Sequence, residues 1–384
     1  EVLLHVFSYL PHNVLCHSVC PVCSYWNSLA HDPTLWQNII IKKWEHMNRN
    51  SIMLLLCRAK LLRSLNISQQ FNVTDYVKCI SKYCLQIQSL DMGFCQVTTK
   101  TSMSMLVENC LHLNHLNLEA TGAEDIYETA FYPVVLLPNL LSLNLSHCKW
   151  VCDAFLYELA MSSCKLEHLN VDGVPYITDT SMTIFLDKKC SYLRELFLDG
   201  EGLTETSYMK LQKCILLEKL SISFSENVTD GALFKMVQLL KLKHLRLRKA
   251  MCLTSTGIID AFTNSKIENL LHLNLGECLP VNDYVLMKVS PFLSKLEMLS
   301  LEWCFDVTNR GLLHVIQNCR QLKELNLIGL ARLNAQILEQ MHSYLTNLCF
   351  LDFQQCNGIN DTDIIKLKET KKGMKIINYY GEVF

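Results

Sequence analysis

Nowhere in this 384-residue chain do 18 apolar residues run together, the length that a membrane-spanning helix calls for. The longest candidate, Ile52–Leu62, is shorter and carries Arg58 and Lys60, so no membrane span is expected. A large excess of either charge is missing too. A formal net charge of −2 and a pI near 6.7 leave no basic footprint for nucleic acid. Catalytic signatures are equally scarce: there is no GxSxG, HExxH, Walker loop or GxGxxG. The one C-x-x-C, Cys20 to Cys23, has no second pair to complete a metal site and reads as packing in a small helical region. No cofactor and no metal are expected. Four Asn-x-Ser/Thr sequons (Asn66, Asn72, Asn144, Asn227) fall at repeat positions and read as products of the repeat.

What is present is a repeat. In Leu296–Leu322, Leu296, Leu299 and Leu301 form a short alternating run, Cys304 closes it, and Val307-Thr308-Asn309 turns the chain. Leu312, Val315, Ile316 and Cys319 then recur at helical spacing. Such a strand-plus-helix unit of about 26 residues cannot bury its own apolar face and must stack on copies of itself. With Leu299 as anchor, the copies are anchored at Leu65, Leu90, Leu116, Leu143, Leu169, Leu196, Leu220, Leu245, Leu273, Leu325, Leu351 and Ile377, spaced by 24 to 28 residues. Ile39 with Ile41 makes a degenerate further copy. Parallel strands stack about 4.8 Å apart, whereas helices need about 8–10 Å. The expected fold is therefore an α/β right-handed solenoid, a horseshoe with a parallel concave sheet, helices outside and a concave face for partners.

Nineteen cysteines invite a disulfide reading, which their places oppose. Cys95, Cys148, Cys278, Cys304 and Cys356 each fall five residues after an anchor. Cys84, Cys110, Cys190, Cys214 and Cys319 each fall six before one, and Cys164 five before. These are sites where a solenoid needs a small buried side chain, a role free cysteine fills. The count is odd and cysteine-rich terminal caps are missing, so a reducing compartment, cytosol or nucleus, is expected. Thr/Asp and Asn/Asp pairs such as Thr74-Asp75, Thr178-Asp179, Thr229-Asp230 and Asn360-Asp361 suit helix N-caps. The unit after Leu116 carries Pro133 and Pro138, and its helix is expected to be irregular.

Residues 1–36 lie outside the repeat. Val2, Leu3, Val6, Phe7 and Leu10 make one stripe of a short helix ended by Pro11. A second helical piece runs from about Asn13. A third is expected to begin at Pro21 and to carry Val22, Trp26 and Leu29, stopping at Asp32-Pro33 before Leu35 and Trp36. Residues 37–62 read as a capping half-repeat: strand Asn38–Ile41, a connector through Trp44, and helix Ile52–Arg63. Full repeats, about 13, fill 63–384. The chain opens on Glu1 without Met and inside a motif, as a fragment of a longer protein would.

EVLLHVFSYLP followed by VCSYWNSLAHDPTLW resembles the F-box, the helical module that docks substrate receptors onto the Skp adaptor of SCF-type ubiquitin ligases. The pattern L-x-x-L-x-L-x-x-C-x-x-[VI]-T-[DN]-x-x-L resembles the cysteine-containing leucine-rich repeat of many F-box proteins. The leading Leu-Pro of the F-box is absent, and Cys20-Pro21 is atypical of its second helix. The resemblance implies a non-catalytic substrate-recognition subunit that binds Skp and, through it, cullin. It would hold the adaptor through Leu3, Val6, Phe7, Leu10, Pro11, Trp26, Leu35 and Trp36. On the first helix, Val6, Phe7 and Leu10 are expected to face outward and Leu3 inward. Two alternatives are a sensor assisted by a small molecule or polyphosphate held by Arg246, Arg248 and Lys249, and a repeat scaffold unconnected to ubiquitin.

Residues between the strand leucines point out of the sheet. One position after each anchor the row reads Asn66, Asp91, Asn117, Asn144, Asn170, Phe197, Ser221, Arg246, Asn274, Ser300, Asn326, Asp352 and Asn378. Asn is read here as a solvated filler, so departures from it mark the candidate substrate site: Phe197, His244, Arg246 and Arg248, with Phe224 and Trp303 at the strand ends. The last two either contact a partner or fold over the strand ends. An acidic stretch (Glu119, Asp172, Glu195, Asp199, Glu201) precedes the basic one. Phe350, Tyr380 and the tail to Phe384 form the rival site. His115, His168, His244 and His272, each just before an anchor, read as exposed polar surface.

Overall fold

Every repeat is built on one buried strand residue. In the computed structural model, which describes residues 1–41, 49–96, 98–122, 129–265, 267, 269–371 and 373–384, Leu65, Leu90, Leu116 and Leu143 are each 2% exposed or less, as are Leu299 and Leu325. The chain forms two compact units, Glu1–Tyr176 and Ile177–Phe384. In the first, β1 (Asn38–Ile40), β2 (Ser64–Asn66), β3 (Ser89–Asp91), β4 (His115–Asn117), β5 (Ser142–Asn144) and β6 (His168–Val171) pair in parallel, each with the next. In the second, β7 (Glu195–Asp199), β8 (Lys219–Ser223), β9 (His244–Leu247), β10 (His272–Asn274), β11 (Met298–Ser300), β12 (Glu324–Asn326), β13 (Phe350–Asp352) and β14 (Lys375–Ile377) do the same. Both units are parallel leucine-rich-repeat solenoid. Within each unit the anchors pair with one another, with one correction. Leu351 pairs with Ile376, not Ile377, so Asn378 leaves the outward row and is fully buried.

The short strands end for a local reason. The carboxamide or carboxylate oxygens of Asn66, Asp91, Asn117, Asn144, Asn170, Asn274, Asn326 and Asp352 each accept the backbone N–H two residues on, at 2.8–3.1 Å. This turn takes the chain off the strand, and the residue three beyond each has positive φ, as at Phe94, His147 and Glu277. Asn thus shapes the strand end and is not the filler assumed above, although β11 also stops at Ser300, and Phe224, Lys249 and Trp303 take the same positive φ without an Asn three residues before. Where Phe197 and Ser221 replace it, β7 and β8 run on together through Asp199 and Ser223.

Cysteine does more than fill space. The thiols of Cys95, Cys148, Cys278, Cys304 and Cys356 donate to the carbonyls of Ile67, Leu118, Leu247, Leu275 and Leu327 in the preceding repeats, at 2.9–3.4 Å. The helix caps also reach sideways. Thr254 caps the helix Ser255–Thr263 through the Gly257 N–H, while its own N–H and Oγ1 donate to the Asp230 carboxylate of the preceding repeat at 2.8 and 2.7 Å. Thr308 and Asp283 repeat the arrangement.

In the N-terminal module, α1 (Val2–Phe7) is followed by α2 (His12–Val14), which continues as a wider π-turn over Leu15–Val19, and then by α3 (Ser24–Ala30). Pro21 and Val22 lie in the turn before α3, which starts three residues later than expected, with the Cys23 sulfur accepting the Trp26 N–H at its N-terminus. The half-repeat helix is α4 (Arg49–Arg58), shifted towards the N-terminus from Ile52–Arg63, and the first full repeat carries α5 (Thr74–Tyr83). The connector expected through Trp44 lies outside the described residues. Residues Thr129–Leu136, with Pro133 inside, form a 3-10 helix, the irregular helix expected there.

Candidate interaction faces

The helical module is held from inside by Phe7, Leu15, Val19, Ala30 and Trp36, all buried. Phe7 meets Trp26 edge-on at 5.3 Å between ring centres. The Trp36 indole N–H donates to Ala30 O at 2.8 Å, and His12 stacks on its ring at 4.9 Å. Asp32 accepts from the Thr34 N–H and hydroxyl, which starts the turn Pro33–Trp36.

These contacts redistribute the expected adaptor residues. Phe7, at 2% exposure, faces the module's interior, and Leu35 and Trp36 are buried too. Leu3, Leu10 and Trp26 are half-buried, whereas Val6 and Pro11 are exposed. The outward-facing assignment of Phe7 is therefore corrected: it is a core residue, because α1 turns that flank onto Trp26. What the surface offers instead is Val2, Val6 and Tyr9, a run at i, i+4 and i+7, together with Val22 and Tyr25. The Val2–Val6–Tyr9 spacing is legible in the sequence; Val22 and Tyr25 need the fold.

The second face is the outward side of β7–β11. Phe197, Ser221, Arg246, Asn274 and Ser300 lie side by side on successive strands. Arg246 forms no ion pair among the described residues, and its buried Nε has no hydrogen-bond partner. Arg248 is different. Its Nε donates to Glu277 at 2.6 Å and lies 3.2 Å from Glu302, so it is already neutralised. Lys249 sits over the Phe224 ring at 4.7 Å. Of the three cations expected to act together, Arg248 and Lys249 are thus engaged by neighbours of their own, while the Arg246 Nε is not. Trp303 covers Gly329, whose Cβ, if it had one, would lie 2.1 Å from the indole. Packing across repeats accounts for that tryptophan, while Phe224 is 46% exposed.

The His244 and His272 rings meet at a tilt, 51° between planes and 4.1 Å between ring centres, and are half-buried, not simply exposed. Burial first, then the neighbouring His272, lowers the His244 pKa to about 4, so that ring is neutral near pH 7, and burial lowers the His272 pKa as well. Of the acidic stretch, Glu195 pairs with Lys219 at 2.8 Å, and buried Asp199 serves the local turn by accepting the Glu201 N–H. At the rival site the tail folds back on β14: Phe384 and Ile376 exchange backbone hydrogen bonds, leaving Tyr380 exposed. Sequence reasoning missed one apolar row, Met251, Leu279 and Phe305. They occupy the same place in three successive repeats and are each about half exposed. Their spacing, six after an anchor, was available. Among the described residues no cluster of three metal-ligating side chains occurs, and no helix is long and apolar enough to cross a membrane.

A helical module leading into parallel leucine-rich repeats defines the class, and comparison refines it. Residues 1–42 match the F-box-like family. The chain is 25% identical over 370 residues to a putative RNA-binding protein of Caenorhabditis elegans, EEED8.10, covering 92% of this chain and 45% of the relative. It is 25% identical over 233 residues to F-box/LRR-repeat protein 4 of Bos taurus, covering 58% and 37%. The chain thus spans less than half the length of either relative. Among solved structures, the yeast Rad7–Elc1 complex contains a similar fold, with TM-score 0.59, 18% identity, and coverage of 92% of this chain and 89% of that one. This chain carries an F-box-like domain at its N-terminus, joined to leucine-rich repeats.

Proposed function

We propose that this chain is the substrate-recognition subunit of an SCF-type ubiquitin-protein ligase. The F-box-like domain holds a Skp-type adaptor, through it cullin, and the repeats hold the protein to be modified. The observation that carries this reading is the division of labour inside residues 1–42: one apolar set closes the core while Val2, Val6, Tyr9, Val22 and Tyr25 remain on the surface. An apolar surface set of this kind is suited to a protein partner. In this role the chain is not an enzyme. Its contribution is proximity, which raises the effective concentration of substrate lysines near activated ubiquitin. It would act in the cytosol or nucleus.

The adaptor site is assigned to Val6, Leu10 and Pro11 from the expected set, joined by Val2, Tyr9, Val22 and Tyr25. The substrate site is assigned to the outward face of β7–β11, with Arg246 as the cation and Phe197, Phe224 and His244 beside it. Its partner would be an acidic or phosphorylated segment with a bulky apolar residue. The polyphosphate alternative loses its motivation, since Arg248 and Lys249 are otherwise engaged. Co-purification of the chain from cytosol, followed by mass spectrometry, tests the reading. Adaptor and cullin should be recovered with the wild-type chain and lost with Val6→Asp plus Tyr9→Asp. Recovery of both by the folded double variant would remove the adaptor assignment.

A further inference from the structure

Away from both faces, one pair of nucleophilic side chains stands close enough to react. Cys57, near the end of α4, and Cys79, on α5, hold their sulfurs 3.5 Å apart. We propose that Cys57 and Cys79 form a reversible intramolecular disulfide, a modification site that staples the half-repeat helix to the helix of the first full repeat. A disulfide is about 2.05 Å long, so closure needs a sulfur displacement of about 1.5 Å. Among the described residues, the only other hydrogen bond of the Cys79 thiol is a long one to Met53 O, 3.7 Å away.

The two thiols differ in access, and that sets their roles. Cys57 is half-buried, whereas Cys79 is 5% exposed, so an oxidant from solvent meets Cys57 first. Burial first, and then the hydrogen bond with Cys57, pushes the Cys79 thiol well above its ordinary range, so it stays protonated and leaves the first oxidation to Cys57. Cys84 is fully buried and donates its thiol to Leu56 O at 3.4 Å, a contact that already occupies it.

The oxidant is a hydroperoxide. With hydrogen peroxide, the Cys57 thiolate sulfur attacks one peroxide oxygen, the O–O bond breaks, and the departing hydroxide takes up the proton that Cys57 lost on ionising and leaves as water, giving a sulfenic acid. The Cys79 sulfur then attacks the Cys57 sulfur and its S–O bond breaks. The hydroxide released takes the Cys79 proton and leaves as a second water. Two thiols lose two electrons and two protons, which the peroxide gains. Thiol exchange with a reducing pool restores the pair.

The test uses the reduced full chain, exposed to hydrogen peroxide, quenched with an alkylating agent and mapped by mass spectrometry. The peptides bearing Cys57 and Cys79 are expected to be the first to link, about 2 Da lighter than their sum, and to separate again with reductant. Amides of α4 should exchange more slowly in the linked form. In Cys79→Ser, which keeps the side chain's size, Cys57 should run on to sulfinic acid. The proposal is overturned if Cys57 oxidises in the wild-type chain while Cys79 remains an alkylatable thiol, or if either residue links to Cys84 instead.

Discussion

Gly257→Ala isolates the sideways hydrogen bonds that join one repeat to the next. A Cβ on Gly257 would lie 1.8 Å from Asp230 Cγ and 2.0–2.3 Å from its carboxylate oxygens. Those oxygens hold the Thr254 N–H and hydroxyl, so the new methyl group must push the carboxylate off both donors. Hydrogen bonds to a charged group are worth about 1.5–3 kcal/mol each, and solvent access at this clamp selects the lower part of that range. Against the loss stands the better helix propensity of alanine, about 1 kcal/mol. The net expectation is a destabilisation of about 1–3 kcal/mol. Gly231 supplies the control. Its Cβ would meet nothing nearer than Glu205 Oε1 at 3.4 Å, so Gly231→Ala should be neutral or stabilise by up to about 1 kcal/mol. Urea titration, with amide exchange at the start of Ser255–Thr263 as the local readout, measures both. A double-mutant cycle decides the cause: in an Asp230→Ala background, Gly257→Ala should no longer cost anything. If its cost is unchanged there, or if the two glycine variants behave alike, the clamp is not what that glycine makes room for.

Four further outcomes are expected. Phe7→Ala should cost about 3–5 kcal/mol within the F-box-like domain, read as loss of amide protection in α1 and α3, whereas Val6→Asp should leave protection intact. Lowering the pH should destabilise the second unit: His244, neutral when folded with a pKa of about 4, binds its proton more readily when unfolded, near 6.5. The contribution is full above about pH 6.5 and is lost as pH falls towards 4. His244→Gln should flatten this slope in thermal melts, and an imidazole titrating near 6.5 by NMR would refute it. Arg246→Ala should weaken a captured acidic partner by roughly 1.5–3 kcal/mol, measured calorimetrically, and added salt should mimic part of that loss. Arg248→Ala should instead lower stability, by leaving Glu277 and Glu302 uncompensated. Equal binding losses from the two arginine variants, or a larger loss on deleting Tyr379–Phe384, would mean that the substrate face is misplaced.

The repeating strand-and-helix unit was written in the chain's own pattern. Leucines at period 2 followed by apolar residues at period 3.6 specify a strand and a helix wherever they occur, and a repeat of about 26 residues leaves stacking as the only way to bury them. The burial of most of the repeat cysteines and the caps Thr178, Thr229 and Asn360 were legible on the same ground, because each is set by position within the unit; Thr74 lies inside α5, after Val73, and Cys190 is half-buried. The fold decided what depends on neighbours distant in sequence. Glu277 and Glu302, from the next two repeats, neutralise Arg248, and no pattern local to β9 shows that. Gly329 lets Trp303 lie flat across a repeat boundary. Phe7 and Val6 are adjacent in a short apolar stripe, and only the placement of Trp26 against α1 makes the first a core residue and leaves the second at the surface. Periodicity gives the face of an element, but which face meets protein and which meets water is settled by the element packed beside it.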